Sequence, residues 1–170
     1  MGLEYEIFNK IRNYVKNLTK RIQEVADIVS FIDVMTSFAE VSTNNHYVKP
    51  TFNDTYSVEV INGRHPVMEA INKTNTYVPN DVSIKENEHF MIISGPNMGG
   101  KSTFMRQVAI ISIMAQIGCF VPAKEATLPI FDSIFTRIGA SDDIVSGQST
   151  FMVEMMEVNN ALQGATNNTL

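Results

Sequence analysis

The sequence predicts an α/β fold preceded by a long helix, on three observations. Apolar residues step by three or four through the first 42 positions. Short strand-like segments follow, and then an apolar run ends in a glycine-rich loop that opens a second helix. The 170 residues suit one domain and little more, at a prior of roughly 150 residues per domain. Hydrophobic residues make up 44% and charged residues 18%, which are globular proportions and exclude wholesale disorder. Thirteen basic and 18 acidic side chains leave a net charge of −5, which argues against a general nucleic-acid binder. The single cysteine, Cys119, excludes an intramolecular disulfide and fits a reducing compartment. No basic segment followed by an apolar one opens the chain, so no secretory signal is expected. The longest apolar stretch, Val108 to Val121, is interrupted by Ser112, Gln116 and Gly118, too short and too polar for a membrane span. A cytoplasmic location without membrane contact is the expectation.

The elements follow in order. Ile7, Ile11, Val15, Leu18, Ile22, Val25, Val29, Ile32 and Met35 share one helical face, and no Pro or Gly interrupts Leu3 to Ser42. About 40 helical residues reach roughly 60 Å, more than a compact domain of this size can cover. The helix is therefore expected to protrude or to pair with something else. Lys10, Arg12, Lys16, Lys20 and Arg21 read as a solvated basic face. Ser42 to Asn45 is a turn-rich break, which divides the chain into residues 1–42 and 43–170. Tyr47 to Phe52 and Tyr56 to Ile61 read as extended, with Pro50 restricting the first to a sheet edge and Asn62-Gly63 marking a turn. Met68 to Ile71 reads as a helical turn, and His89 to Ser94 as a buried strand. Lys101 to Ile117 reads as a helix with Gly118 just past its end, apolar almost all round and therefore buried. Ile134 to Ile138 is a second strand candidate. A polar loop, Gly139 to Gln148, leads to a helix opened by Ser149-Thr150 and stopped by Gly164, with Phe151, Met155, Val158 and Leu162 on one face.

The strongest chemical signal is Gly95-Pro96-Asn97-Met98-Gly99-Gly100-Lys101-Ser102, which matches G-x-x-x-x-G-K-[ST] in full. By chance the pattern arises in on the order of one per cent of chains this long. A strand candidate before it and a helix after it supply the context of a P-loop. Glycines let backbone N–H groups converge on phosphate oxygens, and the helix N-terminus adds its positive dipole end. Lys101 would reach the β- and γ-phosphates, and the Ser102 hydroxyl would bind Mg²⁺. A nucleoside triphosphate and Mg²⁺ are the ligands this pattern calls for. A GTPase would carry N-K-x-D after the loop, but the Asn72-Lys73 pair precedes it and continues Thr74-Asn75. Small-metabolite kinases rarely place so long a segment ahead of the loop. Ser146-Gly147-Gln148-Ser149 is similar to the signature segment of ABC-type ATPases, whose helix N-terminus touches the γ-phosphate of the opposite subunit.

Four motifs then carry a closer resemblance. Gly95 to Thr103, G-P-N-M-G-G-K-S-T, resembles the P-loop of the MutS family of DNA mismatch repair ATPases, and a generic P-loop does not specify its Asn and Met. Phe135 to Asp143 resembles the family's F-T-R-I-G-A-x-D-D, Ser149 to Met155 its S-T-F-M-V-E-M, and Gly63 to Val67 its G-R-H-P-[VL]. All four stand in the family's order, and the resemblance covers the whole chain. It implies an ABC-ATPase-like P-loop core, with ATP as its nucleotide, preceded by the family's lever helix. It also implies a homodimer that binds mismatched double-stranded DNA through other domains, works with a MutL-type partner, and switches conformation with ATP binding and hydrolysis.

By position, Gly95, Pro96, Asn97, Met98, Gly99, Gly100, Lys101, Ser102 and Thr103 would line the phosphate and Mg²⁺ site. Lys101 and Mg²⁺ would stabilise charge as water attacks the γ-phosphate in line. Asn97 would approach the γ-phosphate, its amide able to donate and accept; the alternative is a turn residue holding the loop. Ser149 would act in trans on the partner's nucleotide, or serve as a plain helix cap, or both. Tyr77 stands where the family places an aromatic that stacks on adenine; the alternative is a core aromatic at a strand edge. His65 reads as structural. His46 and His89 lack a partner pattern, so no metal site is indicated among histidines. Met152, Met155 and Met156 read as core or interface filler, and Cys119 as a small buried residue. The departures are that no Leu/Ile/Val-rich run ending in Asp-Glu occurs, and that the family's later switch histidine is absent. The chain is therefore expected to be an internal, truncated piece that hydrolyses ATP negligibly. Two alternatives stand beside this reading: a paralogue acting against recombination without mismatch reading, and a non-catalytic nucleotide-binding interaction module.

Overall fold

The computed structural model describes residues 2–71, 77–88, 90–138 and 150–170. It falls into two units, Met1–Val41 and Ser42–Leu170, each taken by itself. The first is a single helix, part of α1 (Gly2–Asn44), which is as long as the unbroken apolar periodicity demands. Within it the apolar stripe is exposed at every position from Ile7 to Met35 except half-buried Leu18. No helix among the described residues is long and apolar enough to cross a membrane.

The second unit is built on a four-stranded mixed sheet. Its strands are β1 (Thr51–Phe52), β2 (Val58–Gly63), β3 (Asn80–Ile84) and β4 (Glu125–Leu128), in the order β1-β4-β2-β3. β1 runs parallel to β4, while β2 is antiparallel to both β4 and β3. β1 lies at the edge, where Pro50 allows a strand to begin. β2 alternates buried Val58 and Val60 with exposed Glu59, the period-two signature of a half-covered sheet. α2 (Pro66–Ile71) follows β2, and α3 (Lys101–Gln116) follows the glycine-rich loop. Val108, Ile111 and Ala115 of α3 meet Val58, Val60, Val82, Ala126 and Leu128 in one core. α3 closes with both bonds of a Schellman motif: Gly118 (φ 87°) donates to the Ala115 carbonyl at 3.1 Å and Cys119 to that of Met114 at 3.0 Å. Cys119 is buried there, as its size and apolarity suggested. α4 (Thr150–Gly164) occupies the span expected of it.

Four expectations need correction. The segment after His89 is not a buried strand: residues 90–94 have no ladder partner among the described residues, and Phe90 and Ile92 are each 95% exposed. A strand exists only through its neighbours, and β3 is the last one here. Ile134 to Ile138 is likewise no strand. The pairing is confined to its start, where Ser133 bridges Thr169 in parallel and Phe135 donates to the Leu170 carbonyl at 2.9 Å. Asn62-Gly63 makes no hairpin turn but lies inside β2, where the register with β3 slips between Val60 and Gly63 and Asn62 takes φ 51°. Finally, α3 is buried on one face only, with Met105 and Ile113 exposed. β3 and β4 were not anticipated, being too short to stand out from the segments around them.

Candidate functional site

The loop between residue 94 and α3 is shaped by two glycines and by one left-handed non-glycine residue. Gly99 donates to the Pro96 carbonyl at 3.1 Å, closing a tight turn. A Cβ on Gly99 would stand 2.9 Å from that carbonyl oxygen, so this turn closes without strain only with glycine. Gly100 (φ 84°) takes the left-handed conformation immediately before Lys101, and Met98 (φ 63°) takes it two residues earlier. No side chain caps the first turn of α3, so its N–H groups and positive dipole end are available to an anion.

Lys101 bends back over this loop. Its Nζ donates to the carbonyls of Gly95 and Pro96 at 2.8 and 2.7 Å. Two neutral acceptors hold an ammonium well enough to place it, and an anionic oxygen would outcompete them. Ser102 is exposed one residue further on. Among the described residues, no group of three or more His, Cys, Asp or Glu could hold a metal ion. Ser102 is the hydroxyl at the start of α3 that could share a hard cation with phosphate oxygens.

Beside the loop lies a cavity of about 780 Å³. Met98 to Lys101 and Thr103 form one side, residues 91–94 another, and Tyr77, Val78 and Asn80 a third. Gly95, Pro96, Asn97 and Ser102 lie outside this lining. Tyr77, three residues ahead of the start of β3, is half-buried, and its hydroxyl donates to Gln107 Oε1 at 2.8 Å. Burial pushes its phenol above the usual tyrosine range, with Asn80 pulling the other way by hydrogen bonding. The tyrosine anticipated from sequence and the loop anticipated from sequence thus share one cavity. Val78, Asn80 and Gln107 were not anticipated. Gln107 was legible as a polar break in an apolar helix, but which residue it met depended on the fold.

His65 is buried and serves α2: its Nδ1 accepts the Met68 N–H at 3.4 Å and its carbonyl accepts the Glu69 N–H at 3.0 Å. Burial lowers its pKa, and the nearby Arg106 charge adds to the fall against an opposing backbone hydrogen bond. Met152, Met155 and Met156 are exposed on α4 and are not core residues. Arg137 reaches α4 through Glu154 at 2.9 Å and Glu157 at 2.8 Å. Ser149, His89 and the polar loop at 139–148 lie outside the described residues.

Comparison with known proteins agrees with the sequence motifs. Residues 91–170 match the family described as MutS domain V. The chain is 57% identical to the DNA mismatch repair protein MutS of Bacillus licheniformis over 99% of its own length and 19% of that protein's. It is also 57% identical to the proteins of the same name from Lactobacillus gasseri and Bacillus subtilis, over 99% of the chain and 20% of each relative. The chain thus spans about a fifth of the length of these relatives.

Proposed function

The chain belongs to the MutS family, and from that premise we propose that it is the ATP-binding portion of a mismatch-repair ATPase with an ABC-like P-loop core. The single observation that carries this reading is the shared cavity, in which the loop of Met98 to Lys101 faces Tyr77, Val78 and Asn80. The triphosphate would lie along the loop and the N-terminus of α3, and the base would meet the Tyr77 ring. Lys101 would exchange the carbonyls of Gly95 and Pro96 for β- and γ-phosphate oxygens. Ser102 and Thr103 would hold the Mg²⁺ end of the nucleotide, and Asn97 would turn toward the γ-phosphate. Bound Mg²⁺ supplies charge neutralisation at the phosphates. In the whole protein, Ser149 would reach the nucleotide of the second subunit of a homodimer. Mismatched double-stranded DNA and a MutL-type protein would be the further partners, and ATP binding and hydrolysis would switch the assembly.

The 170 residues contain no apolar run ending in Asp-Glu, the pair that organises Mg²⁺ and activates water in this family. On this reading the chain binds ATP but does not turn it over. Calorimetric titration and a phosphate-release assay test both halves together. The expected result is ATP·Mg²⁺ binding that Lys101→Ala weakens at least about tenfold, with no release above background. Turnover abolished by Lys101→Ala would overturn the second half, and binding indifferent to Lys101→Ala would overturn the first.

A further inference from the structure

We propose that Gln107 is a positioning residue for the base end of the cavity, tethering the Tyr77 ring through its hydroxyl. The inference rests on the cavity being a nucleotide site, as proposed above. Gln107 is fully buried on α3, where a primary amide is expensive unless it is bonded; its Nε2 has no hydrogen-bond partner among the described residues, so its Oε1 carries the bonding. Its Oε1 accepts the Tyr77 hydroxyl at 2.8 Å. The same hydroxyl accepts from Asn80 Nδ2 at 3.4 Å, and that nitrogen also donates to the Val78 carbonyl at 3.0 Å. One line of hydrogen bonds therefore runs from the buried face of α3 to the wall made by Tyr77, Val78 and Asn80.

The amide has little freedom. Its Nε2 lies 2.5 Å from where a Cβ on Gly63 would stand, and Gly63 pairs with Asn80 across the sheet. Gly63, Gln107, Tyr77 and Asn80 thus interlock β2, α3 and the cavity wall. A ring held before the ligand arrives loses less freedom on stacking than a free one. Lys101, by contrast, is held by Gly95 and Pro96 and takes no part in this group. The tether should therefore act on the base and leave the phosphates alone.

Calorimetric titration of the full 170-residue chain with ATP·Mg²⁺ and with inorganic tripolyphosphate·Mg²⁺ separates the two ends. Tyr77→Phe and Gln107→Leu should each weaken ATP about tenfold and leave tripolyphosphate within about twofold of wild type. The double variant should be no weaker than Gln107→Leu alone, because the two changes remove one bond. If Gln107→Leu does not fold, Tyr77→Phe decides, since it removes only a hydroxyl at the cavity wall. Unchanged ATP affinity in Tyr77→Phe overturns the proposal, as does an equal loss of ATP and tripolyphosphate in either variant. A wild-type chain that binds ATP no more tightly than tripolyphosphate overturns the base site itself, before any variant is made.

Discussion

At the scale of single residues, the loop and His65 show how local chemistry sets a site. Gly99 and Gly100 are required for different reasons, one by the oxygen 2.9 Å from its missing Cβ and the other by its positive φ. His65 makes a different kind of contribution. Its Nδ1 accepts the Met68 N–H, which requires the neutral ring, and burial lowers its pKa below the ordinary 6.5. As pH falls below about 6.5, the unfolded chain therefore takes up the proton first. The stabilisation due to His65 is complete above that pH and shrinks below it, until the folded value is reached. Urea unfolding at pH 7.5 and pH 5.5 should show a lower midpoint in acid, and a smaller fall for His65→Gln. An equal fall in the variant would show that other groups carry the acid sensitivity. The structural reading of His65 was available from its position beside Pro66; its capping of α2 was not, because that bond depends on where the next turn lies.

At the scale of elements, α3 is the clearest case. Its boundaries were legible, because Gly100 and Gly118 punctuate the ends and a continuous helical segment lies between them. Its orientation was not legible, because apolar residues occur on nearly every side. The fold chose one face: Ile111 is 0% exposed and Ile113 is 48% exposed. Ile111→Ala should cost about 2–5 kcal/mol of unfolding free energy and Ile113→Ala about 0.5 kcal/mol. Denaturant titration of both variants checks this, and similar losses would mean that the helix buries its other face too. The segments at 90–94 and 134–138 look like strands in the sequence and are not strands in the fold, for a related reason. An apolar run has the same letters whether or not a neighbouring strand pairs with it. Asn62-Gly63 resembled a hairpin turn because the same residue types also suit a bulge.

At the scale of the whole chain, charge and length set the expectations. With a net charge of −5, this chain has no net electrostatic attraction for a polyanion to set against the cost of association, and its basic stretch from Lys10 to Arg21 is short. Fluorescence anisotropy with a labelled duplex at 0.15 M salt should show dissociation constants weaker than about 10⁻⁴ M. Micromolar binding would place a DNA-contacting surface within these residues. The long helix was legible in full, because periodicity and the absence of Pro or Gly are properties of consecutive residues. The loop was legible for the same reason: its turn, its left-handed residue and its lysine lie within one short stretch. What depended on tertiary structure was everything joining distant positions, namely the strand order β1-β4-β2-β3, the buried face of α3, and the bond from Gln107 to Tyr77. Local patterns follow from backbone geometry that neighbouring residues share. Long-range contacts follow from which surfaces the folded chain can bury together, and no single segment of sequence contains that choice.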